Sequence, residues 1–205
     1  MKTTRPVGGF KGLLTSLNGD GRYGAALLAS LAALMALQAL GPAGVTALRY
    51  ERAALAAGQW WRLLSAHLVH LDLRHTLLNG AGLALLWALF ARDYAPWQWA
   101  LILIAAMAGI DAGLWFLDPG VLWYVGASGV LHGGMAAGTL AALRRGDYDG
   151  FLLGAFLLGK IAYEQAGGVL PLAGATVPVV VDAHLYGAVG GLAAALWMKP
   201  VAKRL

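Results

Sequence analysis

Gly126–Arg145 reads G-A-S-G-V-L-H-G-G-M-A-A-G-T-L-A-A-L-R-R, and no other stretch of the chain constrains the architecture as tightly. Between Ser128 and Leu143 there is no charge, and Arg144 and Arg145 close the run. Sixteen residues separate Ser128 from Arg144, which at helical rise is roughly 24 Å. A bilayer hydrocarbon core is about 30 Å thick. A helix beginning at Ser128 therefore starts inside the apolar layer, with Gly126 and Ala127 as loop at membrane depth. Such backbone is tolerated only where protein or water satisfies it. A water-filled pocket open to the outer side follows, with Ser128 at a helix N-terminus where N–H groups and the helix dipole favour negative charge.

The rest of the chain agrees with a membrane setting. Of 205 residues, 60% are hydrophobic and 12% charged, against about 45–50% and about 25% in soluble domains. This excludes a two-domain soluble enzyme. Apolar runs bounded by charge, Gly or Pro predict a single all-α membrane domain over residues 1–205 with six spans: Tyr23–Leu40, His75–Ala91, Trp97–Leu117, Ser128–Leu143, Phe151–Gly168 and Asp182–Met198. The first is read as an uncleaved span rather than a signal peptide. Lys2, Arg5, Lys11, Arg22, Arg92, Arg144, Arg145, Lys199, Lys203 and Arg204 then fall on one side, with Arg49, Arg52, Arg62 and Arg74 on the other. Ten against four predicts both termini in the cytoplasm. The net charge of +5 is thus topology, and no nucleic-acid partner is expected. The loop from Pro42 to Arg74 is too long for a simple hairpin, and Trp60 and Trp61 beside Arg62 suit a segment lying in the interface. The 29 glycines predict close helix packing, and the absence of Cys removes thiolate chemistry.

Intramembrane polar groups are costly and face the protein interior or water. Counted from the inner basic residues, Ser128, His184, His75 and Asn79 fall roughly 20–25 Å up, one layer shared by three helices. Acyl transfer by serine needs this composition: a weak hydroxyl nucleophile, a His to take its proton, and donors for the oxyanion. Ser128 is the expected nucleophile and His184 the base. Asn79, His75 and the Ser128 N–H are the oxyanion donors. Asp182, two residues before His184, points to another side of the helix, so a Ser–His dyad is expected.

The motifs carry a family resemblance. G-A-S-G-V-L-H-G at Gly126–Gly133 resembles the G-x-S-G nucleophile motif of rhomboid intramembrane proteases, and A-H-L-Y-G at Ala183–Gly187 resembles their A-H-x-x-G motif. H-L-D-L-R-H-T-L-L-N at His70–Asn79 resembles the pattern ending in oxyanion residues, and Trp61-Arg62 the Trp-Arg pair of the first loop. A narrower resemblance is to the rhombosortase branch. It rests on the compact size, the His of G-V-L-H-G, K-I-A-Y-E-Q at Lys160–Gln165 and D-A-H at Asp182–His184. It implies a serine protease of the Gram-negative inner membrane, with its site facing the periplasm. The implied substrates are secreted proteins carrying a C-terminal Gly-Gly motif, an apolar helix and a basic tail. In many rhomboids an aromatic residue packs on the catalytic His at the place of His132, so His132 is expected beside His184. Gly126, Gly129, Gly133 and Gly134, with Gly187, Gly190 and Gly191, are expected to let spans four and six approach. Two departures stand out. Val179 replaces a Gly before the A-H motif, implying looser packing there, and Gln59 replaces an acidic residue, implying that Arg62 pairs elsewhere.

Asp111, Lys160 and Glu164 remain as charges inside spans. Lys160 and Glu164 are placed to pair at i,i+4, and Glu164 is the candidate for contacting substrate. His67 and His70 are expected to order the loop. No cofactor or metal is expected, since the five His residues lack acidic or thiolate company at obvious ligand spacing. Three alternatives stay open: a general rhomboid protease of other single-span substrates, a rhomboid-like protein that binds clients without cutting them, and a proton-coupled transporter using the intramembrane charges.

Overall fold

A computed structural model describes residues 10–168 and 179–201; Lys2, Arg5, Lys203 and Arg204 lie outside the described residues. Among the described residues, ten helices and one short ladder follow in order: α1 (Phe10–Ser16), α2 (Gly21–Gln38), α3 (Gly41–Leu48), β1 (Tyr50–Glu51), α4 (Arg52–Ala56), α5 (Arg62–Ser65), α6 (Leu73–Phe90), α7 (Pro96–Phe116), β2 (Trp123–Tyr124), α8 (Ser128–Arg145), α9 (Tyr148–Gln165) and α10 (Asp182–Leu196). Helices α2, α6, α7, α8, α9 and α10 stand where the apolar runs occur. By length and hydropathy alone, α7 is long and apolar enough to cross a membrane, and α2 with α3 passes as a pair bent by 104°. The Gly, His and charged residues in the other helices lower their mean hydropathy, and α10, with 15 residues, is also shorter.

α8 is the central element. Its buried residues include Gly129, Gly133, Gly134 and Gly138, with Ala136, Ala137, Ala141 and Ala142. That small-residue composition lets neighbouring backbones approach closely. A Cβ at Gly187 of α10 would collide with the Gly129 carbonyl, and one at Gly133 would lie 2.6 Å from the Gly187 carbonyl. On its other side α10 meets α7, where a Cβ at Gly190 would strike the Ala105 carbonyl. Helices α8 and α10 therefore touch backbone to backbone, with α10 wedged between α7 and α8. The looser packing anticipated from Val179 is not seen at the start of α10. Ala183 is fully buried, and its carbonyl would lie 2.6 Å from a Cβ at Gly129.

The basic residues that bound the apolar runs tie the helix ends together. Arg144 donates to the carbonyls of Ala195 (3.0 Å), Leu196 (2.8 Å) and Met198 (2.5 Å), capping the C-terminus of α10 as a cation there should. Arg92, just past α6, reaches the Thr15 carbonyl at 3.1 Å and the Asp20 carboxylate at 2.5 Å. That guanidinium holds the Asp20 carboxyl below its usual range. Asn18 donates to the Trp87 and Ala88 carbonyls at 3.1 and 2.9 Å, so α1, α2 and α6 are joined at one end.

The long first loop is folded. β1 pairs antiparallel with β2, Tyr50 opposite Tyr124 and Glu51 opposite Trp123, which fastens the loop to the segment preceding α8. Arg62 is buried, while Trp60 and Trp61 are exposed, as an interfacial anchor requires. Arg62 does pair elsewhere, its Nη1 donating to the Thr46 and Arg49 carbonyls at 2.9 and 2.8 Å, while Gln59 keeps a share, its Oε1 accepting from Arg62 Nε at 2.8 Å. A neutral amide oxygen serves because backbone carbonyls supply the remaining acceptors.

The α8–α10 contact gives a direct stability test. Gly187→Ala should lower stability by about 1–3 kcal/mol through overpacking. Gly159→Ala, where nothing lies within 4 Å of the added Cβ, should be neutral or gain up to about 1 kcal/mol from helix propensity. Unfolding titrations in mixed micelles read both, and equal stability of the two variants would contradict the close contact.

Candidate active site

The segment before α8 is held by its backbone. The Tyr124 hydroxyl donates to the Gly126 carbonyl at 2.8 Å, and the Gly126 N–H donates to the Ala66 carbonyl at 2.9 Å. The Ala127 N–H points to His70 Nε2 at 3.4 Å. Gly126 takes φ +117°, a conformation L side chains rarely adopt. A Cβ there would also meet His75 Cε1 at 2.8 Å and Nε2 at 3.0 Å. The glycine thus permits both the turn and the approach of His75. α8 begins at the next residue but one, so Ser128 sits among the N–H groups that a helix start leaves without intrahelical acceptors.

His184 lies in the first turn of α10. Its Nε2 is 3.0 Å from Ser128 Oγ, and the residue is 5% exposed. The structure thus brings together two residues 56 positions apart in the chain. Beyond them the arrangement differs from the expected dyad. Glu164 Oε2 is 2.9 Å from His184 Nδ1, and Lys160 Nζ is 2.6 Å from Glu164 Oε1. Both oxygens of the carboxylate are engaged inside the protein, by Lys160 and by His184, where the sequence offered Glu164 as a contact for substrate. The reason is helical register. Glu164 lies one turn beyond Lys160 and projects between α9 and the start of α10. The twenty positions separating Glu164 from His184 hide that proximity in the sequence.

His132 stacks on His184 with ring centroids 4.2 Å apart and planes 14° apart. Its Nδ1 is 2.7 Å from the Ser128 carbonyl oxygen. It braces the ring of His184, and its Nδ1 is committed to a backbone carbonyl. Gly129, the other supporting glycine, gives room for the Ala183 carbonyl at the foot of the same ring.

Asn79 is buried; its Nδ2 donates to the His75 carbonyl at 3.0 Å, which uses one of its two amide hydrogens. The His75 N–H is capped by Asp72 Oδ1 at 2.7 Å, and His75 Nδ1 accepts from the Leu71 N–H at 3.4 Å. An Nδ1 that accepts leaves the ring proton on Nε2, the atom facing Gly126. Asn79 and Ala127 also line a cavity of about 730 Å³ that runs between α2, α6, α7 and α8. Asp111, a charge within α7, has its Oδ1 3.3 Å from buried His67 Nε2. His67 and His70 therefore both act on the loop below the site.

Ligating atoms of His132, Glu164 and His184 lie within 4.8 Å of one another. The two imidazole planes are nearly parallel, so their in-plane lone pairs do not converge on one point. Both Glu164 oxygens already have partners. Metal ligation would require the stack to break and Lys160 to withdraw.

Two substitutions test this geometry. Gly126→Ala forces strain of about 1–3 kcal/mol and displaces His75, so reaction of Ser128 with a fluorophosphonate should slow at least about tenfold. His132→Phe keeps a ring on His184 and should leave labelling within about fivefold of wild type. A loss in His132→Phe as deep as that of His184→Ala would assign the base to His132.

A comparison with curated proteins gives no match. A family model described as Rhomboid domain matches residues 57–200, more than half the chain, and that segment includes Ser128, His184, Asn79 and His75. The chain belongs to the rhomboid family, membrane-integral serine proteases that act on membrane-protein substrates within the bilayer.

Proposed function

We propose that this protein is an intramembrane serine endopeptidase in which Ser128 is the nucleophile and His184 the base, cutting C-terminal Gly-Gly sorting tails of secreted proteins. The observation that carries this reading is the 3.0 Å approach of Ser128 Oγ to His184 Nε2 at the start of a buried helix. Ser128 Oγ attacks the scissile carbonyl carbon while its proton passes to His184 Nε2. The oxyanion is received by the Ser128 N–H, the second amide hydrogen of Asn79 and the Nε2–H of His75. Preorganised donors of this kind each contribute roughly 3–4 kcal/mol to the transition state. Collapse of the tetrahedral intermediate breaks the C–N bond, and His184 returns its proton to the leaving amine. The acyl group on Ser128 then passes to water or another nucleophile. The mechanism calls on no metal or organic cofactor.

The narrower rhombosortase assignment draws support from where its distinguishing residues fall. His132, Lys160 and Glu164, and His184 of the D-A-H motif, are far apart in sequence and share one set of contacts. The topology is six spans with both termini inside, in the bacterial inner membrane, with the site opening to the periplasm. The clustering of Arg92 and Arg144 with the ends of α1, α2 and α10 supports a common basic face, as the positive-inside rule requires.

The test is cleavage by purified protein, in proteoliposomes, of a single-span substrate carrying Gly-Gly, an apolar helix and a basic tail. Ser128→Ala and His184→Ala should each lower turnover at least about 1,000-fold. Cleavage that survives Ser128→Ala would overturn the mechanism. Equal cleavage of a substrate whose Gly-Gly is replaced by Leu-Leu would overturn the substrate class and leave a general rhomboid protease.

A further inference from the structure

We infer that Glu164, clamped by Lys160, is a positioning residue that sets the tautomer and orientation of His184, making the working unit Lys160–Glu164–His184–Ser128. The inference rests on reading Ser128 and His184 as nucleophile and base. Its starting point is α9 itself. Most of that helix is exposed or half-buried; its buried residues are Gly150, Leu157 and Glu164, seven apart and so on one face. Gly150 packs against Ala142 and Leu143 of α8, and Leu157 joins Ala136 and Ala188 in one apolar cluster. The third position of this docking stripe calls for another apolar side chain. It carries instead a carboxylate with 5% exposure.

A buried carboxylate in a membrane-spanning segment is expensive and requires close partners. Lys160 alone would satisfy an ion pair, and both oxygens could serve it. The structure divides them, with Oε1 on Lys160 at 2.6 Å and Oε2 on His184 Nδ1 at 2.9 Å. A carboxylate beside an ammonium accepts hydrogen bonds and donates none. Its contact therefore places the imidazole proton on Nδ1 and leaves the Nε2 lone pair facing Ser128 Oγ. When the serine proton moves to Nε2, the imidazolium keeps its Nδ1–H and donates it to Glu164, which is not protonated. His132 locks the remaining freedom by stacking on the ring. The imidazole is thus fixed along one axis by Glu164 and across its face by His132.

Turnover of the Gly-Gly-tailed substrate by the full-length protein separates this role from a structural one. Glu164→Gln offers an amide that can donate to Nδ1 and so favours the wrong tautomer. It should lower kcat by about 100- to 10,000-fold with KM within about twofold. Glu164→Asp retains the charge and should recover at least about tenfold over Glu164→Gln. Lys160→Met leaves the Glu164–His184 contact and should fall between wild type and Glu164→Gln. If Glu164→Gln does not fold, as read by thermal unfolding, Glu164→Asp decides: a kcat reduced about tenfold at unchanged KM supports the role, and an unchanged kcat overturns it. The inference is also overturned if Glu164→Gln stays within threefold of wild type, if its loss lies in KM, or if Asp rescues nothing. All these readings require that Ser128→Ala be inactive; residual activity there refutes the protease reading itself, not the role of Glu164.

Discussion

The site depends on the backbone contact between α8 and α10. Ser128 and His184 are each near the N-terminus of their helix, and a hydrogen bond between two short side chains needs those helix axes unusually close. Gly129 and Gly133 on one helix, and Gly187 and Gly191 on the other, remove the side chains that would hold them apart. In lipid the approach gains little from hydrophobic exclusion and must come from packing and polar contacts. The same glycines therefore stabilise the fold and set the 3.0 Å distance. Arg144 fixes the far end of this pair by capping α10, so the contact is held at both ends.

A second constraint acts on the segment entering α8. Non-helical backbone at this depth needs every polar group satisfied. The first loop provides the partners: Tyr50 pairs with Tyr124, Ala66 receives the Gly126 N–H, and His70 receives the Ala127 N–H. Arg62 in turn ties three points of that loop to one guanidinium. The loop that hydropathy marks as merely long is the scaffold that holds Gly126 at φ +117° and leaves the α8 N-terminus open.

The parts of this arrangement were unequally legible from sequence. The meeting of Ser128 and His184 was legible because depth counting along a helix is nearly rigid: a 1.5 Å rise per residue leaves little freedom over sixteen residues. The helix positions were legible for the same reason. The angular position of each helix about its own axis was not. Glu164 is legible as a charge inside an apolar run, yet its direction depends on how α9 docks through Gly150 and Leu157, a tertiary fact without local signature. The pairing of His67 with Asp111 was hidden likewise, since the two belong to a folded loop and a separate helix. The short β1–β2 ladder has only two residues per strand, too few for any alternation to register.

The scarcity of charge in this chain makes the location of the remaining charges meaningful. Lys160 precedes Glu164, the less favourable order for an i,i+4 pair against the helix dipole, so helix energetics alone do not account for the pair. Nor does docking of α9, which Gly150 and Leu157 accomplish with apolar contacts. What the pair achieves that an apolar residue would not is an acceptor for His184 Nδ1 whose own charge is balanced one turn away. An unbalanced carboxylate in the same place would bear the full cost of burial, and a neutral side chain would leave the imidazole free to choose its tautomer. Placing Lys160 on one carboxylate oxygen and His184 on the other resolves both problems with one residue, and it explains why Lys160 and Glu164 persist in a run from Gly150 to Gln165 that carries no other charge.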